Sequence, residues 1–223
     1  MRILRPIVLL VLLISVSVAA AQGQQCGELV EQAITAVQDA CADTGRNQAC
    51  YGNVALEASP REGVEDFVFD QQGDLVDVSD IDTLTLSSLD EVAGEWGVAL
   101  LRIQANIPDT LPGQNVTFLL FGDVELQNAV DAENSDDAEL TPMQAFYFRS
   151  GLDDSACAEA PSSGILIQTP EGAGTITLRA NDVEISLGST AYFQAEAGDA
   201  MTVSVVEGEA QVTADGETVT VPA

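Results

Sequence analysis

The stretch that decides the fold is Gly164-Ile-Leu-Ile-Gln-Thr169, Gly174-Thr-Ile-Thr-Leu-Arg-Ala180, Asp182-Val-Glu-Ile-Ser-Leu187, Ser189-Thr-Ala-Tyr-Phe-Gln-Ala195, Ala200-Met-Thr-Val-Ser-Val-Val206, Glu209-Ala-Gln-Val-Thr-Ala214 and Glu217-Thr-Val-Thr-Val221. Its breaks carry Gly and Asp, as in Ala-Gly-Asp and Ala-Asp-Gly. Short alternating runs rich in Val, Ile, Thr and aromatics, interrupted by turn residues at this spacing, predict an all-β sandwich or barrel. The C-terminal part is therefore taken as 164–223.

Working outward, 151–163, with Cys157 and Pro161, reads as a linker, and Gln144-Ala-Phe-Tyr-Phe-Arg149 before it as a strand. The two most apolar runs are Gly97 to Ile107 and Val116 to Gly122, joined by Pro108-Asp-Thr-Leu-Pro-Gly-Gln114. Runs apolar on both faces suit central strands covered on two sides, and the Pro/Gly connection suits a hairpin loop. Alternation at Val54/Leu56/Ala58, Val64/Phe67/Phe69 and Leu84/Leu86 predicts further strands. Trp96 is expected as a packing residue at the entry to the apolar pair.

One helix is expected, over Gly27 to Cys41. Leu29/Val30, Ala33/Ile34, Val37 and Cys41 recur at helical spacing, and Gly45 follows as a closing residue. The fold class is thus mainly β, two β-sandwich-like parts with one N-terminal α-helix. The parts are residues 22–150 and 164–223.

Met1-Arg-Ile-Leu-Arg5, the apolar run Ile7 to Val18 and Ala19-Ala-Ala21 have the order of a signal peptide over 1–21. The run is too short to span ~30 Å of hydrocarbon. Cleavage is expected after Ala21, giving a secreted or extracytoplasmic chain without membrane insertion; the other reading is a retained anchor.

Removing the leader takes away Arg2 and Arg5, so the formal charge moves from -29 to -31. The remaining bases are Arg46, Arg61, Arg102, Arg149 and Arg179. Such a surface repels phosphate backbones and anionic lipid heads, which argues against nucleic acid and peripheral membrane partners.

The chain contains no His, and its mature part no Lys, which excludes Ser-His triads, Cys-His pairs, imidazole metal centres and Schiff-base lysines. Carboxylate chemistry remains open. A glycoside hydrolase would need two facing carboxyls ~5 to 9 Å apart, but among 36 acids such pairs arise by chance. No catalytic, cofactor or metal residue is assigned. The acidic stretch Asp131 to Glu139 has oxygen ligands for calcium yet lacks the Gly and the spaced acids of an EF-hand loop, so it reads first as a solvated loop. Asn115-Val-Thr117 matches a glycosylation sequon.

Four cysteines in an exported chain predict disulfides. Cys26 and Cys41 flank the helix, and fifteen residues of helix would hold them ~22 Å apart against the ~6 Å a bridge needs. Two pairings stay open: Cys41 with Cys50 and Cys26 with Cys157, which is favoured, or Cys26 with Cys50 and Cys41 with Cys157.

Val183-Glu-Ile-Ser-Leu-Gly-Ser-Thr-Ala-Tyr-Phe193 and Met201-Thr-Val-Ser-Val-Val-Glu-Gly-Glu-Ala-Gln-Val212 together resemble the extracytoplasmic FecR domain. The resemblance rests on a strand running into Gly188-Ser189, a second strand, and an apolar strand ending at Gly208 before Ala210. It implies a β-sandwich used in surface sensing or as a wall-side module. Membrane-bound regulators of that family carry a cytoplasmic segment, whereas six residues precede the hydrophobic run here. A sensing role would thus call for a separate membrane partner. Gly45-Arg-Asn-Gln-Ala-Cys-Tyr-Gly-Asn53 and Leu111-Pro-Gly-Gln-Asn-Val-Thr-Phe-Leu119 look like uncharacterised exported bacterial proteins that end in such a sandwich.

The functional expectation is a non-catalytic recognition or scaffold protein of the cell surface or extracellular space, with an unknown protein or glycan of the envelope as partner. The alternatives are an envelope sensor working with a membrane protein, and a carboxylate glycosidase. Exposure of Tyr51, Tyr147, Tyr192 or Trp96 in a cleft favours ligand binding, and burial of all four favours a structural module.

Overall fold

A computed structural model describes residues 18–105, 114–130, 140–151, 160–196 and 200–223, with side chains from Cys26 onward. The chain is mainly β. Helix α1 (Val18–Ala40) is followed by β1 (Gln48–Asn53), β2 (Leu56–Pro60), β3 (Leu75–Asp77), β4 (Ile81–Leu86), β5 (Val98–Ile103), β6 (Val116–Phe121), β7 (Val124–Asn128) and β8 (Ala145–Ser150). The C-terminal part adds β9 (Gly164–Gln168), β10 (Ile176–Ala180), β11 (Val183–Leu187), β12 (Thr190–Ala195), β13 (Met201–Glu207), β14 (Glu209–Ala214) and β15 (Glu217–Pro222).

These strands build two sheets. The seven-stranded sheet has the order β13-β12-β9-β6-β5-β1-β3, and the eight-stranded sheet has the order β15-β14-β11-β10-β8-β7-β4-β2. Each sandwich-like part contributes to both, so the two parts meet edge to edge along a seam. In the seven-stranded sheet β6 pairs antiparallel with β9 over five residues, from Thr117↔Gln168 to Phe121↔Gly164. In the eight-stranded sheet β8 and β10 pair in parallel at Arg179↔Ala145 and Ala180↔Phe146.

One hydrophobic core runs between the sheets through both parts, from Leu84, Leu101 and Phe118 to Ile167, Leu178 and Phe193. Phe118 on β6 meets Phe146 on β8 edge to face at 5.6 Å, tying the sheets together beside the seam. The apolar pair β5 and β6 sits near the middle of its sheet and is covered on both faces, as its composition predicts. Inward, Leu101, Ile103, Phe118 and Leu120 enter the main core. Outward, Val98 and Phe121 join a second cluster with Ala33 and Val37 of α1. The helix begins further toward the N-terminus than expected, and its predicted apolar stripe lies on this sheet.

The chain changes sheets at nearly every second connection of the C-terminal part, and the Gly-Ser pair and Gly208 stand where it does so. Gly188-Ser189 links β11 to β12 in the other sheet, and Gly208 links β13 to β14. The two crossings pack together: the Ser189 hydroxyl donates to the Glu207 carbonyl. Gly208 has φ +77°. A Cβ there would lie 2.6 Å from Ser189 Oγ, so this crossing demands glycine.

Three segments depart from the sequence expectation. Val64/Phe67/Phe69 alternates in sequence but lies in irregular chain, because Gly63 and Asp66 take left-handed φ values. Phe69 turns back instead to pack edge-on against Tyr51, 5.5 Å away. β1 and β7, by contrast, are strands with little period-two signal or with polar outward residues.

Candidate binding face

The seam has two outer surfaces that differ in chemistry. On the seven-stranded sheet, Trp96, Phe121 and Tyr192 form a row, with ring centroids 6.0 Å apart for the first pair and 5.8 Å for the second. Phe121 and Tyr192 are stacked at 3°. Gly164 stands opposite Phe121 in the ladder, and a Cβ on it would lie 2.6 Å from the Tyr192 hydroxyl. The missing side chain is what lets the Tyr192 ring cross the seam. Its hydroxyl donates to the carbonyls of Ser162 and Ser163, and burial pushes the phenol pKa up to about 12. Trp96, at 2% exposure, is closed under α1 and serves packing, as expected.

On the eight-stranded sheet the seam is polar and carries an outward aromatic. Period-two alternation sends Leu126 and Phe148 inward and Gln127 and Tyr147 outward. Register then lines up Ser59, Thr83, Gln127 and Tyr147 across four strands, and Glu57, Thr85, Glu125 and Arg149 beside them. Tyr147 is 45% exposed, and its hydroxyl donates to Asp182 Oδ1 at 2.8 Å.

Asp182 belongs to the other part, in the tight Asn181-Asp182 turn between β10 and β11, where both residues have positive φ. Asn181 clamps this turn to β8: its Oδ1 accepts the Phe148 N–H at 2.8 Å, and its Nδ2 donates to the Phe148 carbonyl at 2.9 Å. The short parallel pairing of β8 with β10 is thus extended by a side-chain amide, and the carboxylate that fixes Tyr147 is set by the same turn.

Four arginines are committed within the chain. Arg46 donates to Asn115 Oδ1, Arg61 to the Val130 carbonyl, Arg102 to the Thr44 carbonyl and Arg149 to Glu125 Oε2 at 2.8 Å. The hydrogen bond to Glu125, and then its charge, holds the Arg149 guanidinium pKa above its ordinary value. Asn115 of the sequon is buried and engaged by Arg46, a poor position for a glycan.

Cys41 and Cys50 are bonded, with Cα atoms 5.7 Å apart, which fixes the end of α1 to β1 and overturns the crossed pairing. Cys26 is itself disulfide-bonded. Cys157, its expected partner, lies outside the described residues, as does the acidic stretch 131–139 considered for calcium. Among the described residues no three His, Cys, Asp or Glu side chains form a metal-holding group, and no helix is long and apolar enough to cross a membrane.

Of the four discriminating aromatics, Tyr51 and Trp96 are buried, Tyr192 is half-buried and Tyr147 faces outward. Tyr147 is legible as a candidate from sequence; Asn181 is visible there only as a strand break, and Asp182 only as the start of the next run. Fold and face together define a double-sheet β protein with an outward tyrosine pinned across an internal seam. The chain matches no protein-family model, and no curated protein or solved structure matches it.

Proposed function

We propose that this is an exported, non-catalytic recognition or scaffold protein of the cell surface or extracellular space, acting through the outer face of the eight-stranded sheet. The observation that carries the reading is Tyr147, outward and held by Asp182 at the end of a neutral row of Ser59, Thr83 and Gln127. A tyrosine fixed at its hydroxyl offers a rigid apolar ring at low entropic cost, and hydroxyl and amide groups beside it exchange hydrogen bonds with a polyhydroxylated ligand. A neutral envelope glycan suits this chemistry better than a polyanion, because four arginines are already spent on internal acceptors and the net charge is -29. The four bonded or expected cysteines and the leader support export, and the resemblance to the FecR domain supports an extracytoplasmic module.

The test is retention of the purified protein on columns of insoluble cell-wall polysaccharide. Retention that is released by soluble glycan and lost in Tyr147→Ala supports the reading. Passage of the native protein without delay, or equal retention of the variant, refutes it.

A further inference from the structure

The two ends of the double sheet are finished differently. At the end nearest α1, the seven-stranded sheet closes with β3, only three residues long, and the eight-stranded sheet closes with β2, which carries Glu57 and ends at Pro60. Short strands, charges and proline are the usual protection of a sheet edge.

At the opposite end, among the described residues, charges and proline stand only at the strand termini, as Glu207, Glu217 and Pro222, and β13 bulges at Val206, next to its end. β13 is seven residues long and β15 six, and the two edges lie against each other across the sandwich. In a chain with 36 acidic residues, Thr202 to Val206 and Thr218 to Val221 bear no charged side chain. Val206 on β13 is 59% exposed and Val219 on β15 is 60% exposed. Val203, Val205 and Val212 line the core but remain partly open, whereas at the internal seam Phe118, Leu120, Ile165 and Ile167 are wholly buried.

The free backbone groups of β15 can be assigned. The Ala223 N–H donates to the Gly208 carbonyl, so alternation along the β14–β15 ladder directs the N–H and carbonyl groups of Glu217, Val219 and Val221 toward β14. The N–H and carbonyl of Thr218 and Thr220 therefore point away from the molecule.

Each edge has a centre that reads the same in either direction: Val203-Ser-Val205 and Val219-Thr-Val221. Antiparallel pairing centred on Ser204 in one sheet and on Thr220 in the other sets Val203 opposite Val205 and Val219 opposite Val221 of a second copy. Apolar residues then meet apolar residues on the core side, and on the outer side Ser204 and Thr220 each meet their own copy while Thr202 faces Val206. We propose that this end is a self-association surface, where β13 and β15 each pair antiparallel with the same strand of a second copy and so extend both sheets. It is also where two molecules of this charge can touch along strand centres free of carboxylates.

The pair should tighten as salt screens the mutual repulsion, since the centre of the contact is uncharged. A cationic partner protein bound to the acidic surface would show the opposite salt dependence.

The experiment is sedimentation of the purified chain over a range of concentrations, at low salt and at about 0.5 M salt. A monomer–dimer equilibrium that shifts toward dimer with salt is expected. Thr220→Pro, which removes an outward N–H that β14 does not use, should weaken the dimer at least about tenfold while the melting temperature holds. Val206→Lys, on the solvent side of β13, should do the same should the proline variant misfold. Glu57→Gln, at the protected end, should leave association unchanged. A monomer at every concentration and salt, open-ended filaments, or a dimer indifferent to both edge variants overturns the proposal.

Discussion

The two outer surfaces of the seam use aromatic side chains for opposite ends. On the seven-stranded sheet, Trp96, Phe121 and Tyr192 pack in a row under or beside the helix, with Trp96 and Phe121 buried and Tyr192 half-buried. On the eight-stranded sheet, Tyr147 stands outward among hydroxyls, amides and one exposed ion pair. The lesson is that alternation along a strand sets which side chains leave the core, while the elements beyond the sheet settle whether they meet protein or solvent. α1 covers one surface, and Tyr147 faces out of the other.

The sharpest contrast between the surfaces is in stability. Phe121→Ala removes the middle of the aromatic row and should cost about 3–5 kcal/mol in chemical denaturation, as for other buried aromatics. Loss of the tie between α1 and β1 comes next. Replacing Cys41 and Cys50 together with Ala frees a loop of sequence separation 9 and should cost about 2–3 kcal/mol by the loop-entropy relation. A much smaller loss would mean that the helix is held by its apolar face and the Cys26 disulfide.

The Tyr192 phenol can be followed by its own ionisation. Burial raises the Tyr192 pKa to about 12, above the ordinary value of 10.0. The protonated phenol is the favoured form, so its contribution is full below pH about 10 and is lost as pH rises toward about 12. Absorbance at 295 nm should show a late-ionising tyrosine that disappears in Tyr192→Phe. If that late step persists in Tyr192→Phe, the row is more open than described.

The smallest effects belong to the polar surface. Arg149→Gln should change stability by less than about 1 kcal/mol, since both partners of its ion pair are substantially exposed. Tyr147→Ala should fall within about 0.5 kcal/mol, the usual range for surface substitutions. A large loss at Tyr147 would move it from the recognition surface to the structural one, and with it the functional reading.

The parts of this account differ in how far the amino-acid order alone discloses them. The β class, the N-terminal helix, the central place of β5 and β6, and the packing role of Trp96 follow from periodicity and composition, because each depends on neighbours close in sequence. The seam does not. Pairing of β6 with β9 joins residues some fifty positions apart, and nothing in Gly164 itself announces that its missing side chain makes room for Tyr192. Tyr147 could be listed among aromatics but its direction required the register with Gln127, and Asp182 required the turn that Asn181 clamps. The irregular stretch around Phe69 misleads for the same reason: its alternation is satisfied by one distant ring rather than by a neighbouring strand.

The recognition claim is met most directly by mapping hydrogen exchange of the whole protein with and without a soluble fragment of wall polysaccharide. Added protection confined to β2, β4, β7, β8 and the Asn181-Asp182 turn is the predicted result. Protection along α1 instead, or none at saturating glycan, would contradict it.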